Sequence, residues 1–452
     1  MKYNLPNLEN CKITVIGLGY VGLPLIVEFA KTKQDFSTKK NLTRKLIGFD
    51  VNKQRIEELN NNIDKTKEIN PSDLIFFNDI IFSYREEIII DSDVFIVTVP
   101  TPIDKARIPN LEPLKKACKL IGKSLKNFKN SEKIKKKTIP LVIFESTVFP
   151  GATEEECVPI IEKYSNQKLN YDFCVGYSPE RINPGDKKYK LTDIVKITSG
   201  SNQEASLWID GLYGSIIKAG TFNCSSIKVA EAAKVIENTQ RDLNIALVNE
   251  LSMIFKKLDI DTLDVLDAAS TKWNFIKFKP GLVGGHCIGV DPYYLTYKAQ
   301  QVNYSPQIVL SGRRINDSMG EWISEQLIIK MAKNNLPIAK SKILIMGITF
   351  KENCRDLRNS KVLDIIEKLK EYNLESFIYD PLADKTEADS LYSIEVRDQI
   401  QDDYKFSAII IAVAHDLFKN KSQEFWQNKL VDNGVIFDLK GILPKYKNVI
   451  RL

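Results

Sequence analysis

The sequence predicts an α/β protein: two Rossmann-like domains, each a doubly wound parallel sheet, joined by a central helical domain with one long helix. Near-continuous apolar runs rich in β-branched residues alternate with helical patterns at both ends of the chain, as expected for strands buried on both faces. Residues 11–31 indicate a strand, a glycine turn and a helix, and residues 341–372 a strand of the same type, a polar loop and a helix. Between the ends, Ser226 to about Lys257 contains neither proline nor glycine, and apolar residues recur at helical spacing.

The remaining strands are predicted from apolar runs bounded by turn residues. They are KLIGFD (45–50), DVFIVTVP (93–100), IPLVIFEST (139–147), FCVGYSP (173–179), DIVKITSG (193–200), SFIYDP (376–381), AIIIAVA (408–414) and VIFDL (435–439). We place the three domains at residues 1–211, 212–335 and 336–452. The long middle helix is of a kind that often pairs two subunits, and burial within its own domain is the alternative.

The 452-residue chain has the composition of a soluble globular protein, with 43% hydrophobic and 27% charged residues. It has no apolar run of about eighteen residues and no signal-peptide pattern, so we expect neither a membrane partner nor secretion. Seven scattered cysteines indicate a reducing cytoplasm rather than a disulfide framework. The net charge of +6 is concentrated at 31–45 and 123–137, which we interpret as solvated surface, and we expect no nucleic-acid partner.

The turn after the first strand carries a dinucleotide-binding fingerprint, GLGYVG at 17–22. Its first glycine permits the tight turn, its second lets the backbone approach a pyrophosphate, and its third lets the helix pack on the strand. The N-terminus of the helix adds amides and partial positive charge for the phosphates. We therefore expect cofactor contacts from Gly17, Gly19, Tyr20, Val21 and Gly22.

The acid that accompanies such a fingerprint should end the second strand, where the sequence has Asp50. A carboxylate there binds both ribose hydroxyls and favours NAD over NADP. Asp50 comes later than the usual spacing of about twenty residues, and an insertion at 31–45 accounts for the delay. Arg55 lies over the adenine in one interpretation and is an exposed helix arginine in the other.

Two further strand ends should lie at the same edge of the first sheet, where ligands of open α/β sheets bind. They carry Thr101 in VPTPID and Thr147 in ESTVFPG. Both threonines are candidate contacts to cofactor or substrate, and a turn-forming hydroxyl is the alternative for each.

The long helix carries Lys234 and Asn238, which share a face because they are four residues apart. Apolar neighbours make a lysine unusual at this place. It is either a snorkelling lysine on an interface helix or a group that stabilises an oxyanion or moves a proton.

One glycine-rich loop, PGLVGGHCIGVDPYY at 280–294, contains Cys287 and Asp291. A metal site is not expected, because the adjacent His286 and Cys287 lack the spacing of ligands. A buried structural cysteine is one interpretation. The flanking glycines favour an exposed loop instead, where the thiol would act as a nucleophile with a lysine nearby.

Taken together, these segments resemble the UDP-glucose/GDP-mannose dehydrogenase family over essentially the whole chain. The GGHCIGVDPYY loop and WNFIKFKPG before it look most similar to the enzymes for UDP-N-acetylglucosamine and UDP-N-acetylgalactosamine; UDP-N-acetylmannosamine and UDP-glucose are the alternatives. The resemblance rests on IGLGYVGLPL, PTPID, ESTVFPG, SPERINPGD, AAKVIEN, GGHCIGVDPYYL and GITFKENCRDLRNS, in that order.

This resemblance implies an NAD-dependent, four-electron oxidation of a sugar C6 alcohol to a carboxylate, for surface polysaccharide synthesis. In such enzymes a lysine and an aspartate, here Lys234 and Asp291, hold the water that acts as base, and a cysteine, here Cys287, forms a thiohemiacetal and then a thioester. Asn238 joins Lys234 in stabilising the oxyanions. Glu180 or Asp291 would activate the hydrolytic water, and the resemblance also adds Thr147 to the catalytic set.

The resemblance places Glu180, Lys234, Asn238 and Lys351 around the substrate, with Lys351 near the UDP phosphates. Arg358 would reach the NAD pyrophosphate. It also implies a homodimer through the central domain. A second glutamate that UDP-glucose members often carry after the SPE motif is absent, since the chain runs Arg181-Ile182-Asn183-Pro184.

Other classes of protein explain the residues less well. A nucleotide-sugar sensor on the same fold has no need of Cys287, Lys234 and Asn238 together. A scaffolding protein does not need the glycine fingerprint. A two-electron dehydrogenase of the 6-phosphogluconate type needs neither a nucleophilic thiol nor a second α/β domain.

Overall fold

A computed structural model describes residues 4–66, 68–104, 106–128, 138–182, 190–285, 288–401 and 404–452. The chain divides into two compact units. The first comprises Met1–Ile236 with Tyr293–Val302, and the second comprises Glu237–Pro292 with Asn303–Leu452. Within the described ranges, no helix is both long and apolar enough to cross a membrane.

The first unit is built on a six-stranded sheet in the order β3-β2-β1-β4-β5-β6, in which every neighbouring pair is parallel. The central strands are apolar and buried on both faces, which explains their continuous hydrophobic runs. The strands are β1 (Lys12–Ile16), β2 (Lys45–Phe49), β3 (Ile80–Ser83), β4 (Val94–Val97), β5 (Leu141–Phe144) and β6 (Cys174–Tyr177).

Helices cover this sheet and contribute to one apolar core with the strands. Short 3-10 segments lie at Pro71–Asp79, Glu86–Ile89 and Leu191–Asp193, and a π-helical turn lies at Thr153–Cys157. The α-helices are α1 (Gly22–Lys31), α2 (Lys53–Asn60), α3 (Glu112–Phe128), α4 (Val158–Ser165) and α5 (Gln203–Gly214).

The long helix α6 spans Ile227–Lys257 and confirms the helix predicted from Ser226 to Lys257. The division between the two units falls within it, after Ile236. Two shorter helices follow α6, α7 (Thr262–Ala269) and α8 (Asp291–Gln301), and then the 27-residue helix α9 (Gln307–Lys333).

The second unit contains another six-stranded parallel sheet, in the order β11-β10-β9-β12-β13-β14. This is the strand order of the first sheet repeated. Its strands are β9 (Lys342–Met346), β10 (Glu375–Tyr379), β11 (Val396–Arg397), β12 (Phe406–Ile411), β13 (Leu430–Asp438) and β14 (Val449–Arg451). Its helices are α10 (Val362–Glu371), α11 (Lys385–Tyr392), α12 (Asp416–Lys419) and α13 (Gln423–Asn428).

The predicted fold class is confirmed, with one strand misplaced. The segment at 193–200 does form a strand, β7 (Lys196–Thr198), but it pairs only with β8 (Thr221–Asn223) in a separate two-stranded ribbon. Its short apolar run could not reveal which strand it pairs with. The short strands β3, β8, β11 and β14 were not predicted.

Candidate active site

The glycine turn after β1 has the geometry that its sequence predicts. Gly17 has a φ of 97°, which only glycine adopts easily, and its amide donates to the carbonyl oxygen of Phe49, at 2.9 Å. A Cβ on Gly22 would lie 1.9 Å from the oxygen of Gly17, so this glycine is required for the helix to pack on the turn. A Cβ on Gly19 would meet nothing within 4 Å, which leaves room for a ligand.

Asp50 lies directly beneath this turn. Its Oδ2 accepts from the amide of Leu18 at 2.8 Å, and its Oδ1 accepts from the amide of Asn52 at 2.9 Å. The side chain is half-buried and retains lone pairs that can accept from ribose hydroxyls. The open space at Gly19 and the carboxylate of Asp50 therefore fit a dinucleotide whose pyrophosphate lies at the start of α1.

Arg55 braces the turn from below. It is only 8% exposed, its Nε donates to the carbonyl oxygen of Leu18 at 3.1 Å, and its Nη2 pairs with Asp64 at 3.0 Å. The interpretation of an exposed helix arginine is therefore wrong, because the side chain is buried and its guanidinium hydrogen-bonds to the backbone of the turn. Contact of Arg55 with adenine stays a prediction.

The loops that follow the neighbouring strands β4 and β5 are joined by hydrogen bonds from side-chain hydroxyls to backbone carbonyl oxygens. Thr101 Oγ1 donates to the carbonyl oxygen of Thr147 at 2.7 Å, and Ser146 Oγ donates to that of Val99 at 2.6 Å. Tyr294 donates its hydroxyl to the carbonyl oxygen of Thr101 at 2.6 Å. The Thr101 hydroxyl therefore links two loops rather than forming a local turn, and the proposed ligand contacts of Thr101 and Thr147 stay predictions.

Glu180, at the end of β6, belongs to a buried group of charges that we did not predict. Its Oε1 accepts from the amides of Arg181 at 2.6 Å and Ile182 at 2.5 Å. Its Oε2 lies 3.6 Å from the ammonium of Lys196, which is bound to Glu145 at 2.7 Å. A lysine within an apolar strand was the sequence signal for this group.

The first turns of α6 are tied to the ESTVFPG turn. Glu231 accepts from the amides of Gly151 at 2.5 Å and Thr153 at 2.9 Å, and burial raises the pKa of Glu231 to about 7. Lys234, three residues further along the helix, is 7% exposed. A snorkelling lysine would keep its head in water, so the burial of Lys234 favours a functional role. Glu231 was not predicted.

In the second unit, Asn238 and Asp291 are brought together as expected for partners in one site. Asn238 Nδ2 donates to Asp291 Oδ2 at 2.6 Å, and Asp291 is 2% exposed at the start of α8. This hydrogen bond fixes the orientation of the Asp291 carboxylate.

The glycines of the cysteine loop allow a close approach to the loop after β9. A Cβ on Gly284 would lie 2.5 Å from the oxygen of Asn359, and one on Gly285 would lie 2.9 Å from the ring of Phe350. The amide of Gly285 donates to the carbonyl oxygen of Asn359 at 3.2 Å. His286 and Cys287 themselves lie outside the described residues, so the prediction that Cys287 is the nucleophile rests on the sequence motif.

The two basic residues predicted in the last domain lie on the loop after β9. Lys351 lines a small cavity with Gly284 and Lys440, and its ammonium is 5.3 Å from the ring centre of Phe350. Nε and Nη2 of Arg358 donate to Oδ1 and Oδ2 of Asp356, at 2.9 and 2.8 Å. Burial lowers the pKa of Lys440, a residue that we did not predict. The ligands of Lys351 and Arg358 stay predictions.

The open glycine turn and Asp50 define the class of this protein as one that binds a dinucleotide through its first sheet. The chain belongs to the UDP-glucose/GDP-mannose dehydrogenase family: the NAD binding domain matches residues 11–217, the central domain residues 228–318 and the UDP binding domain residues 344–445. It is therefore an NAD-dependent nucleotide-sugar dehydrogenase, and the predicted family, activity class and cofactor are confirmed.

Similar proteins cover nearly the whole chain. UDP-N-acetyl-D-glucosamine 6-dehydrogenases from Pseudomonas aeruginosa and Salmonella typhi are each 49% identical over 98% of this chain, and the matches cover 100% and 99% of those proteins. A solved structure of a UDP-D-ManNAc dehydrogenase from Pyrococcus horikoshii has a TM-score of 0.81 at 26% identity, covering 97% of this chain and 98% of that one.

Proposed function

We propose that this protein oxidises the C6 hydroxyl of a UDP-N-acetylhexosamine, with UDP-N-acetylglucosamine as the first candidate and UDP-N-acetylgalactosamine as the second. The observation that carries the proposal is the 49% identity to UDP-N-acetyl-D-glucosamine 6-dehydrogenases along their full length. The UDP-D-ManNAc dehydrogenase of similar fold is only 26% identical. Surface polysaccharide synthesis is the proposed use of the product.

The first sheet would hold the cofactor. The backbone from Gly17 to Gly22 would bind the pyrophosphate and Asp50 the adenosine ribose, with Arg55, Thr101 and Thr147 as further proposed contacts. Bound NAD supplies the chemistry of hydride acceptance. The protein's own task is to remove the proton of the C6 hydroxyl as that hydride leaves.

The proton of the C6 hydroxyl would pass to a water held by Asp291 and Lys234. The bond from Asn238 supports this role, because it fixes the orientation of the Asp291 carboxylate. The ammonium of Lys234 and the amide of Asn238 would also stabilise the oxyanions that form at C6.

Cys287 would retain the aldehyde between the two oxidations. Addition of its sulfur to the aldehyde carbon gives a thiohemiacetal, and the second oxidation leaves a thioester. Water then releases the carboxylate and the cysteine, activated by Glu180 or Asp291. This role requires that two oxidations occur for each sugar, without free aldehyde.

The last domain, which we place at 336–452, would bind the UDP moiety, with Lys351 beside its phosphates. Arg358 would contact the NAD pyrophosphate. The domain boundaries at 211 and 335 belong to this proposal. Support comes from the UDP binding domain match and from the cavity that Lys351 lines with Lys440.

We further propose a homodimer through the central domain, 212–335, in the cytoplasm. Leu247 and Ile254, seven residues apart on α6, are 54% and 45% exposed, and Trp273 is 92% exposed. A dimer that covers these side chains would remove their apolar surface from water. The six described cysteines are buried thiols, as expected in a reducing compartment.

The substrate is tested by assaying UDP-N-acetylglucosamine, UDP-N-acetylgalactosamine, UDP-N-acetylmannosamine and UDP-glucose side by side. We expect the highest kcat/KM with one of the first two. A clear preference for UDP-glucose or for the mannosamine sugar would refute the proposed substrate while leaving the family intact.

Replacing Cys287 tests the covalent route. Cys287→Ala should abolish uronate formation, because no thioester can form, and should leave NAD affinity unchanged. The two quantities are followed by product analysis and by NAD titration. Uronate produced at near the wild-type rate would contradict the covalent mechanism.

A further inference from the structure

The loop after β9, which carries Lys351, is tied to a histidine that the proposed function does not use. His415 immediately precedes α12, and its side chain is completely buried. A buried imidazole is costly unless its ring nitrogens are hydrogen-bonded. The ring of His415 finds partners in Thr349 and Asn353, which flank Lys351 along the chain, and in Asp380.

The segment after Lys351 is held by Nδ1 of His415, which accepts the amide of Asn353 at 3.0 Å. Asn353 has a φ of 56°, in the left-handed region where asparagine is enriched. Its side chain donates to Asp416 Oδ2 at 2.9 Å and accepts the amide of Asp416 at 3.1 Å. The loop is therefore tied to the start of α12 two residues beyond Lys351.

The segment before Lys351 is held by Nε2 of His415. This nitrogen lies 3.3 Å from Thr349 Oγ1 and 3.2 Å from Asp380 Oδ2, and it faces both as a donor. The hydroxyl of Thr349 in turn donates to the carbonyl oxygen of Lys351 at 3.1 Å. Asp380 Oδ2 also accepts the amides of Ile348 and Thr349, at 2.8 and 3.2 Å. One buried ring thus fixes the backbone on both sides of Lys351.

The position of this backbone matters because of what Lys351 offers to a ligand. Lys351 lines a cavity of the second unit together with Gly284 and Lys440. A lysine presents a compact charge on a flexible stem, so the reach of its ammonium depends on where its backbone lies. A backbone that is fixed before the ligand arrives reduces the entropy lost on binding.

We propose that His415 is a positioning residue for substrate binding, which holds the loop so that the ammonium of Lys351 meets the phosphates of the UDP moiety. This inference rests on the proposed function, in which Lys351 lies beside those phosphates. His415 is buried and acts through the hydrogen bonds of the loop, without touching the ligand itself.

The test is a double-mutant cycle in the full-length enzyme, with the Kd of UDP measured by titration calorimetry. His415→Phe keeps a ring against Phe418, whose centre is 5.2 Å away, but removes both ring nitrogens. It should raise the Kd by about 5- to 50-fold, less than the 10- to 100-fold, roughly, expected for Lys351→Met. In the Lys351→Met background, His415→Phe should change the Kd by less than about twofold, because coupled groups are not additive.

Two further variants separate positioning from a loss of stability. His415→Gln keeps an amide donor for Thr349 and Asp380, so it should recover part of the UDP affinity, and it replaces His415→Phe in the cycle if that variant does not fold. Trp426→Leu is the matched control, because it removes a buried ring of the second unit outside this hydrogen-bond network. It should lower the free energy of unfolding and leave the Kd of UDP unchanged.

Three results would overturn the inference while leaving Lys351 in its role. They are an unchanged Kd of UDP in folded His415 variants, a loss in the double variant equal to the product of the two single losses, or failure of both His415 variants to fold. Failure of the proposed function is a different result, because Lys351→Met alone would then bind UDP with wild-type affinity.

Discussion

The two sheets of this protein begin with turns of the same geometry, but the segments that follow these turns differ. In both, a glycine with positive φ, 97° at Gly17 and 94° at Gly347, follows the first strand. In both, the next amide donates at 2.8 Å to an aspartate 32 residues further along, Asp50 or Asp380. The strand order is also the same.

The segments after the two turns differ. After Gly17 the helix begins at Gly22, whereas after Gly347 a loop runs to Val362 and carries Lys351. The first turn therefore offers helix amides to a phosphate, and the second offers a charged side chain. One scaffold can thus be adapted to two nucleotides by the length of one loop.

The two aspartates also differ in their surroundings. Asp50 is half-buried, whereas Asp380 is 1% exposed and lies 3.2 Å from Nε2 of His415. Nδ1 of His415 accepts from the amide of Asn353 at 3.0 Å, so Nε2 is the ring nitrogen that faces Asp380 as a donor. The aspartate of the second sheet is thus bonded to a histidine of the protein itself.

The largest effect should come from Gly22→Ala. Its Cβ would meet the oxygen of Gly17 at 1.9 Å, so the variant should lose more than about 3 kcal/mol of unfolding free energy, the upper end of ordinary overpacking. Gly19→Ala is the matched control, and it should keep its stability while NAD binds several-fold more weakly. Equal stability of the two variants in denaturant unfolding would contradict the geometry described for the first turn.

Asp380→Asn should destabilise the second sheet by about 1–3 kcal/mol at neutral pH, because buried donors lose a charged acceptor. The hydrogen bonds from His415 and from backbone amides outweigh burial and lower the pKa of Asp380. A lowered carboxyl pKa contributes stability above the unfolded value of about 3.9, and this is lost as pH falls through the folded value. Unfolding free energies of wild type and variant should therefore converge in acid, and a constant difference would be contrary evidence.

Asp50→Asn should raise the KM for NAD by about 10- to 100-fold, the range for a hydrogen bond to a charged group, and leave the KM for the sugar unchanged. Lys351→Met should raise the KM for the sugar and leave the KM for NAD unchanged. Initial-rate kinetics with each substrate varied in turn make the measurement. If both variants raised the KM for the same substrate, the assignment of NAD to the first sheet and of the UDP moiety to the second would be wrong.

Features that depend on neighbouring residues in the sequence could be predicted from it. The strands, the helix at 226–257, the glycine turn and Asp50 follow from periodicity and short motifs, and the structure agrees with each. A lysine in an apolar strand signals that Lys196 has a buried partner, but the identity of that partner could not be predicted. Tertiary packing joins Glu145 to Lys196 and Tyr213, which are 51 and 68 positions away. The same holds for His415 and Asp380, which meet only when β10 and the end of β12 share one sheet edge.

Arg55 shows why a residue's role resists prediction even where its element is predicted correctly. Its place on a polar helix indicated exposure or a ligand, yet it is buried against Leu18 and Asp64. The partner Asp64 lies in an irregular segment without a recognisable motif.

In the proposed function, the protein carries out a four-electron oxidation of one UDP-N-acetylhexosamine. The most direct measurement is the number of NADH formed per UDP-N-acetylglucosamine consumed, with the sugar limiting and the product identified. We expect two NADH and one uronate for each sugar. One NADH per sugar with free aldehyde would contradict the account.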